Sequence, residues 1–162
     1  MGENTQVQII NLLAENEKII SELYSKVAEN FSDSNYYNFF ITLSFEETAH
    51  ADWVLSLYDD VVNGRLSFNP DRFNLAEIKA FADQVKKKLD EIKRSTVSWE
   101  EALKLALEIE NFMLESKWFE VFEKDAEKFN YSLNRLRNAT IQHRERITDA
   151  IGSIADEPNE EH

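Results

Sequence analysis

The sequence predicts an all-α protein, on three observations. Three Gly and two Pro in 162 residues leave little material for the turns of a β fold. Good helix formers, chiefly Glu, Leu, Lys and Ala, fill long uninterrupted stretches. Within those stretches apolar residues recur three and four apart, the period of a helix with one buried face. At this length the chain reads as one domain over residues 1–155 with an acidic tail over 156–162.

Helix one is expected from Asn4 or Thr5 to Phe31. Its stripe is Ile10, Leu13, Glu17, Ile20, Tyr24, Val27 and Phe31, so that Glu17 interrupts an apolar line. Ser32-Asp33-Ser34 is a turn with N-cap residues. Helix two then runs to about Val62 and stops at Asn63-Gly64, a helix C-terminus signal. Its stripe is Phe40, Leu43, Glu47, His50, Val54, Leu57 and Val61. Residues 65–98 are the least periodic, with a turn at Asn69-Pro70-Asp71 and a shorter helix over Leu75 to Ile92. That is enough chain for a long crossover between bundle ends. Ser98-Trp99-Glu100-Glu101 is a capping box opening helix three, expected to about Ala126, with Leu103, Ala106, Glu110, Met113, Lys117 and Val121 on one line. Helix four, Asn130 to Ile154, turns Leu133, Leu136, Thr140, His143, Ile147, Ile151 and Ile154 inward.

A formal net charge of −13 argues against a basic face for nucleic-acid phosphates. There is no Gly-rich phosphate loop. With no Cys there is neither a disulfide framework nor a thiolate metal site. No signal-peptide pattern or membrane-length apolar run is visible, so the expected setting is cytoplasmic and reduced. Asn30, Asn130 and Asn138 each begin an Asn-x-Ser/Thr match that this setting reads as coincidental. His162 lies in the tail and is given no role.

Glu47 and His50 are three residues apart and share one helix face. That face is the apolar one, where a bare carboxylate or imidazole is costly and must be paired, neutralised or bound to something. The rest of the chain repeats the pattern. An offset of 93 residues lays His50 on His143 and Glu17 on Glu110, and brings the stripes into coincidence: Ile10 on Leu103, Ile20 on Met113, Phe40 on Leu133, Val54 on Ile147. Two helix pairs related by a pseudo-twofold axis are implied. Glu17, Glu47, His50, Glu110 and His143 would then converge at mid-height, a carboxylate-plus-imidazole set that suits iron or manganese.

Glu17 with Tyr24 seven later, Glu47-Thr48-Ala49-His50, the run from Ala102 to Glu110, and His143 together resemble the ferritin-like superfamily, most of all its rubrerythrin-type four-helix domain. The resemblance spans residues 7 to 154. It implies a ferritin-like four-helix bundle with a di-metal centre, usually iron, reacting with dioxygen or peroxide. It also implies Glu17, Glu47, His50, Glu110 and His143 as metal ligands. The chain departs from the pattern at two positions. Thr140 stands where the last Glu is expected, and Lys117 where a tyrosine is expected seven after Glu110. The Cys residues of a rubredoxin-type donor module are absent.

Three carboxylates against two divalent ions leave a formal surplus of one positive charge, which weakens the second ion's hold. Thr140 can bond back to the carbonyl of Leu136, and Lys117 could reach toward a core carboxylate without any metal. Two functions follow from different classes. One is a metal-binding protein, iron first, with oxidase or peroxidase chemistry at a di-metal or asymmetric site. The other is a metal-free scaffold of the same fold that acts through protein contacts. Beside these, Glu47/His50 reads as a buried hydrogen-bonded pair and Tyr24 as core packing or a donor to a ligand carboxylate. Trp53, Trp99 and Trp118 read as core or interface, and Glu46, Glu108 and Glu115 as a solvated face. The surplus of aromatic residues in helices two and three suggests a homodimer.

Overall fold

A computed structural model describes residues 5–116, 118 and 127–156. It is all-helical, with no strand among the described residues. The elements are α1 (Thr5–Ala28), α2 (Ser34–Leu55), α3 (Tyr58–Val62), α4 (Leu75–Arg94), α5 (Trp99–Glu115) and α6 (Glu127–Asp156). No helix of the described residues is long and apolar enough to cross a membrane.

Helix α1 is buried on most of its circumference, because α2 and α4 both pack along it. Its C-terminal carbonyls are taken by the Asn30 amide, which donates to Lys26 and Val27, while the Asn30 side-chain oxygen accepts from the Val97 N–H. One side chain thus caps α1 and fastens it to the α4–α5 junction. Small polar residues let α1 and α2 approach closely. Ser21 Oγ donates to the Ser44 carbonyl and Ser44 Oγ donates to the Ser21 carbonyl, each at 2.8 Å, with Thr48 Oγ1 2.8 Å from Ser21 Oγ.

Helix α2 starts on Asp33, whose carboxylate accepts from the Asn35 N–H at 2.8 Å. It does not run unbroken to Val62, as its periodicity suggests. Ser56 Oγ donates to the Trp53 carbonyl at 2.6 Å, a local bond that competes with the backbone ladder, and the helix ends at Leu55. Helix α3 resumes at Tyr58, which keeps Leu57 and Val61 buried. Gly64, at φ 71°, then takes the left-handed turn that other residues reach only with strain.

Residues 65–98 hold the turn and the shorter helix that their sequence implies. Asn69 and Pro70 start a 3-10 turn over Pro70–Arg72, and Asn74 caps α4 by accepting from the Glu77 N–H at 3.1 Å. Helix α4 buries Ile78, Phe81, Ala82, Val85, Leu89 and Ile92, a stripe of period 3.6 laid against α1. Phe68 and Phe73 meet Phe129 of α6, with Phe68 stacked on Phe129 at 4.0 Å between centroids. A second aromatic group joins Phe31, Tyr36, Phe39, Phe40 and Trp99, and Tyr36 stacks on Trp99 at 4.0 Å.

Ser98 caps α5 as its motif requires, accepting from the Glu101 N–H at 3.1 Å. The helix ends at Glu115 rather than Ala126: the Ser116 N–H turns to the Phe112 and Leu114 carbonyls. Trp118 beyond it is buried against Phe81 and Phe112. The expected positions Lys117 and Val121, and His162 of the tail, lie outside the described residues. Helix α6 packs along α5 and touches α2, turning Leu133, Leu136, Thr140, His143 and Ile147 inward.

Candidate metal centre

The apolar stripes of α1, α2, α5 and α6 each carry one or two acidic or imidazole residues at mid-length, and these lie together. Glu17, Glu47, His50, Glu110 and His143 are all at most 2 % exposed. Glu47 is central. Its Oε2 is 3.4 Å from His50 Nδ1 and its Oε1 is 2.8 Å from His143 Nδ1. Glu17 Oε2 approaches His50 Nδ1 at 3.7 Å, and Glu110 Oε1 approaches His143 Nδ1 at 3.3 Å. The imidazole rings lie nearly parallel, 5.1 Å apart at an angle of 21°. Each repeat therefore contributes one Glu and one His, as the offset of 93 residues implies, and Glu47 lies between the two imidazoles.

The surroundings hold the set in place. Tyr24, fully buried, donates its hydroxyl to Glu110 Oε1 at 2.9 Å. Burial and the nearby Glu110 and Glu47 charges raise the Tyr24 phenol well above its ordinary range, so it remains a donor. Thr140 donates to the Leu136 carbonyl at 2.8 Å, which satisfies its hydroxyl and leaves no carboxylate at that position. His50 rests against Trp53, 4.9 Å between ring centroids, and Arg135 covers the Trp53 ring at 3.7 Å.

One neighbour contradicts the sequence reading. Glu46 was expected on a solvated face with Glu108 and Glu115. Glu108 and Glu115 are exposed, but Glu46 is half-buried, its Oε2 2.6 Å from His143 Nε2 and paired with Arg146. The reason is geometric. Glu46 is one position from Glu47, about 100° around the helix, which aims it at the gap between α2 and α6 rather than away from it. Arg146 follows His143 by three residues and so shares its face. That spacing was the available signal.

The electrostatics are those of a buried set of opposite charges. Burial would push both imidazoles down, but the facing carboxyls outweigh it: Glu17 and Glu47 raise His50 to about 10, and Glu110 and Glu47 raise His143 to about 10. Glu17 is held well above the usual carboxylate range by burial, then by the Glu47 charge. Burial and Glu110 act upward on Glu47 as well, yet its contacts with Glu17, His143 and His50 leave it lowered.

Five buried polar atoms of this set have no hydrogen-bond partner among the described residues: Glu17 Oε2, both Glu47 oxygens, His50 Nδ1 and Glu110 Oε2. Even the 2.8 Å approach of His143 Nδ1 to Glu47 lacks hydrogen-bond alignment. Unmatched polar atoms are rare in protein interiors and call for an explanation such as an ion. Here they belong to four of the five residues that the sequence singles out as ligands. Donor atoms of Glu47, His50 and His143 lie within 4.8 Å of one another, close enough to face one cation, and Glu17 and Glu110 flank them. The carboxylate and imidazole donors present could hold a metal ion.

Comparison with protein-family models, with curated proteins and with solved structures finds no match to this chain.

Proposed function

We propose that the protein is a metal-binding, iron-dependent protein of the ferritin-like, rubrerythrin kind. In this reading α1, α2, α5 and α6 form a four-helix bundle around the metal and α4 lies in the crossover. The observation that carries the proposal is the group of unpartnered, buried carboxylate and imidazole atoms of α1, α2 and α5, with His143 of α6 beside them. Glu47, His50 and His143 are the inner ligands; Glu17 and Glu110 complete the set from either side. An iron ion held by these residues would supply redox chemistry toward dioxygen or peroxide, the oxidase or peroxidase class that the resemblance implies.

The chain's own residues have definable parts in this. Glu47 presents one oxygen toward each imidazole and so couples the two halves. Tyr24 holds Glu110 by its Oε1 and leaves Oε2 for an ion. The surrounding apolar stripes exclude water, which strengthens every charge interaction inside. Thr140 withholds a carboxylate, so the set favours unequal occupancy of two ion positions.

A second reading, a metal-free scaffold, draws support from the imidazoles. Each is raised to about 10 beside buried carboxyls, and the cluster can balance its charges by proton uptake alone. Elemental analysis of protein prepared anaerobically with iron separates the two readings. One to two irons per chain, lost in Glu47→Ala, is the expected result. Iron-free protein in every preparation would sink the metal reading in favour of the scaffold.

A further inference from the structure

Among the described residues, His143 is the one member of the set that is linked to the protein surface by an ion pair. Its Nδ1 faces Glu47 and Glu110, while its Nε2, on the far side of the ring, lies 2.6 Å from Glu46 Oε2. The same Glu46 oxygen accepts from Arg146 Nη2. The His143 side chain is 2 % exposed, whereas Glu46 and Arg146 are 38 % and 41 % exposed. The pair therefore lies between the buried ring and solvent. His50, its counterpart in the repeat, is backed by the Trp53 ring.

We propose that Glu46, held by Arg146, is a positioning residue for the metal centre. Its carboxylate takes the Nε2–H of His143 and commits Nδ1 to the metal. The inference rests on the metal-binding reading above and extends it to a residue outside the ligand set. A neutral imidazole carries its proton on one nitrogen or the other, and the partner of one nitrogen decides what the other can do. A carboxylate at Nε2 can only accept, so when an ion displaces the proton from Nδ1 the remaining proton stays on Nε2 and the Nδ1 lone pair is free for the ion. The negative partner also makes the ring a stronger donor to a cation, as carboxylate–histidine–metal arrangements do. Arg146 Nη2 donates to that carboxylate and fixes it in place with a charge-assisted bond that a neutral residue would not supply. Because Ala139, not an acid, stands at the position of the other repeat that corresponds to Glu46, this support belongs to one half of the site alone.

The test uses Zn(II) as a diamagnetic probe with the full-length chain. In the wild type, nitrogen-detected histidine NMR of the Zn(II) form should show His143 metal-bound at Nδ1, with a slowly exchanging Nε2 proton shifted downfield. Glu46→Ala should abolish that proton signal and weaken Zn(II) binding about 10- to 100-fold, the range for lost outer partners of ligating histidines. Glu46→Gln, which keeps shape and an acceptor oxygen, should fall between the two, and Arg146→Met should shift the signal without removing it. A helix-packing role alone would leave the NMR signature of bound His143 unchanged. Wild-type affinity with an intact Nε2 proton in Glu46→Ala would overturn the proposal while leaving the metal centre standing. Failure of the wild type to take up Zn(II) would overturn both. Should Glu46→Ala not fold, Glu46→Gln and Arg146→Met carry the same decision.

Discussion

Replacing Glu47 with Ala in the metal-free protein is the perturbation whose size the structure defines best. Glu47 has no exposed surface and is the carboxylate that both Nδ1 atoms approach, at 3.4 and 2.8 Å. Its removal takes away a carboxylate that helps raise each imidazole to about 10, and leaves the two buried rings face to face at 5.1 Å. Breaking one member out of a buried charge group costs about 3–5 kcal/mol, because the remaining charges lose their compensation. With a urea dependence of about 2 kcal/mol/M for a protein of this size, the unfolding midpoint should fall by roughly 1.5–2.5 M. The assay is urea unfolding at pH 7 in chelator, followed by circular dichroism, with slopes compared to confirm that the unfolded surface is unchanged. Adding metal should then stabilise the wild type in proportion to the logarithm of its concentration and leave Glu47→Ala unmoved. An unchanged midpoint in chelator would refute the reasoning, since it would mean that the two imidazoles do not depend on the carboxylate between them.

Thr140→Glu places a carboxylate on α6 one turn before His143, and metal per chain should rise toward two by elemental analysis; a value unchanged from wild type refutes the view that Thr140 is what limits occupancy. Metal affinity should increase with pH up to about 10, because His50 and His143 must each lose a proton to bind through Nδ1; calorimetry in buffers of different ionisation enthalpy would reveal the released protons. The metal-free protein should behave oppositely. The folded imidazole values of about 10 lie above the ordinary 6.5, so their contribution to stability is complete below pH 6.5 and disappears as pH rises through about 10; stability that grows over that interval would contradict it. Tyr24→Phe removes the hydroxyl that donates to Glu110 at 2.9 Å and should cost about 1.5–3 kcal/mol in thermal unfolding of the metal-free protein.

Much of the fold was legible because the long helices carry apolar stripes and three of them a start signal. Asp33, Asn74 and Ser98 all cap the helices that follow them, and the residues between them alternate as their burial requires. The break at Ser56 was not legible. Serine is tolerated within helices, and its bond to the Trp53 carbonyl is a choice that the sequence pattern does not reveal. The end of α5 at Glu115 was hidden in the same way, since the apolar line continues past it. At the site, repetition made Glu17, His50, Glu110 and His143 readable, because two weak patterns in register reinforce each other, and Glu47 was read from its spacing to His50. Glu46 was missed because a stripe reports which residues face the core, and Glu46 faces the seam between two helices. Tyr24 was readable as a donor only once its position seven residues after Glu17 brought it near an acid from another helix.

The paired serines between α1 and α2 have a mechanical consequence. Ser21 lies one turn beyond Glu17 and Ser44 three residues before Glu47, and their reciprocal bonds to each other's backbone fix how far one helix can slide along the other. Glu17, Glu47 and His50 consequently move as one rigid jaw. The opposing jaw, with Glu110 on α5 and His143 on α6, reaches it at the site through side chains: Tyr24 to Glu110, Glu47 to His143, and Glu46 to His143 and Arg146. Any breathing of the centre follows the seam between the jaws, so an ion held by both would clamp them together, and its loss would loosen that seam before it disturbed either helix pair.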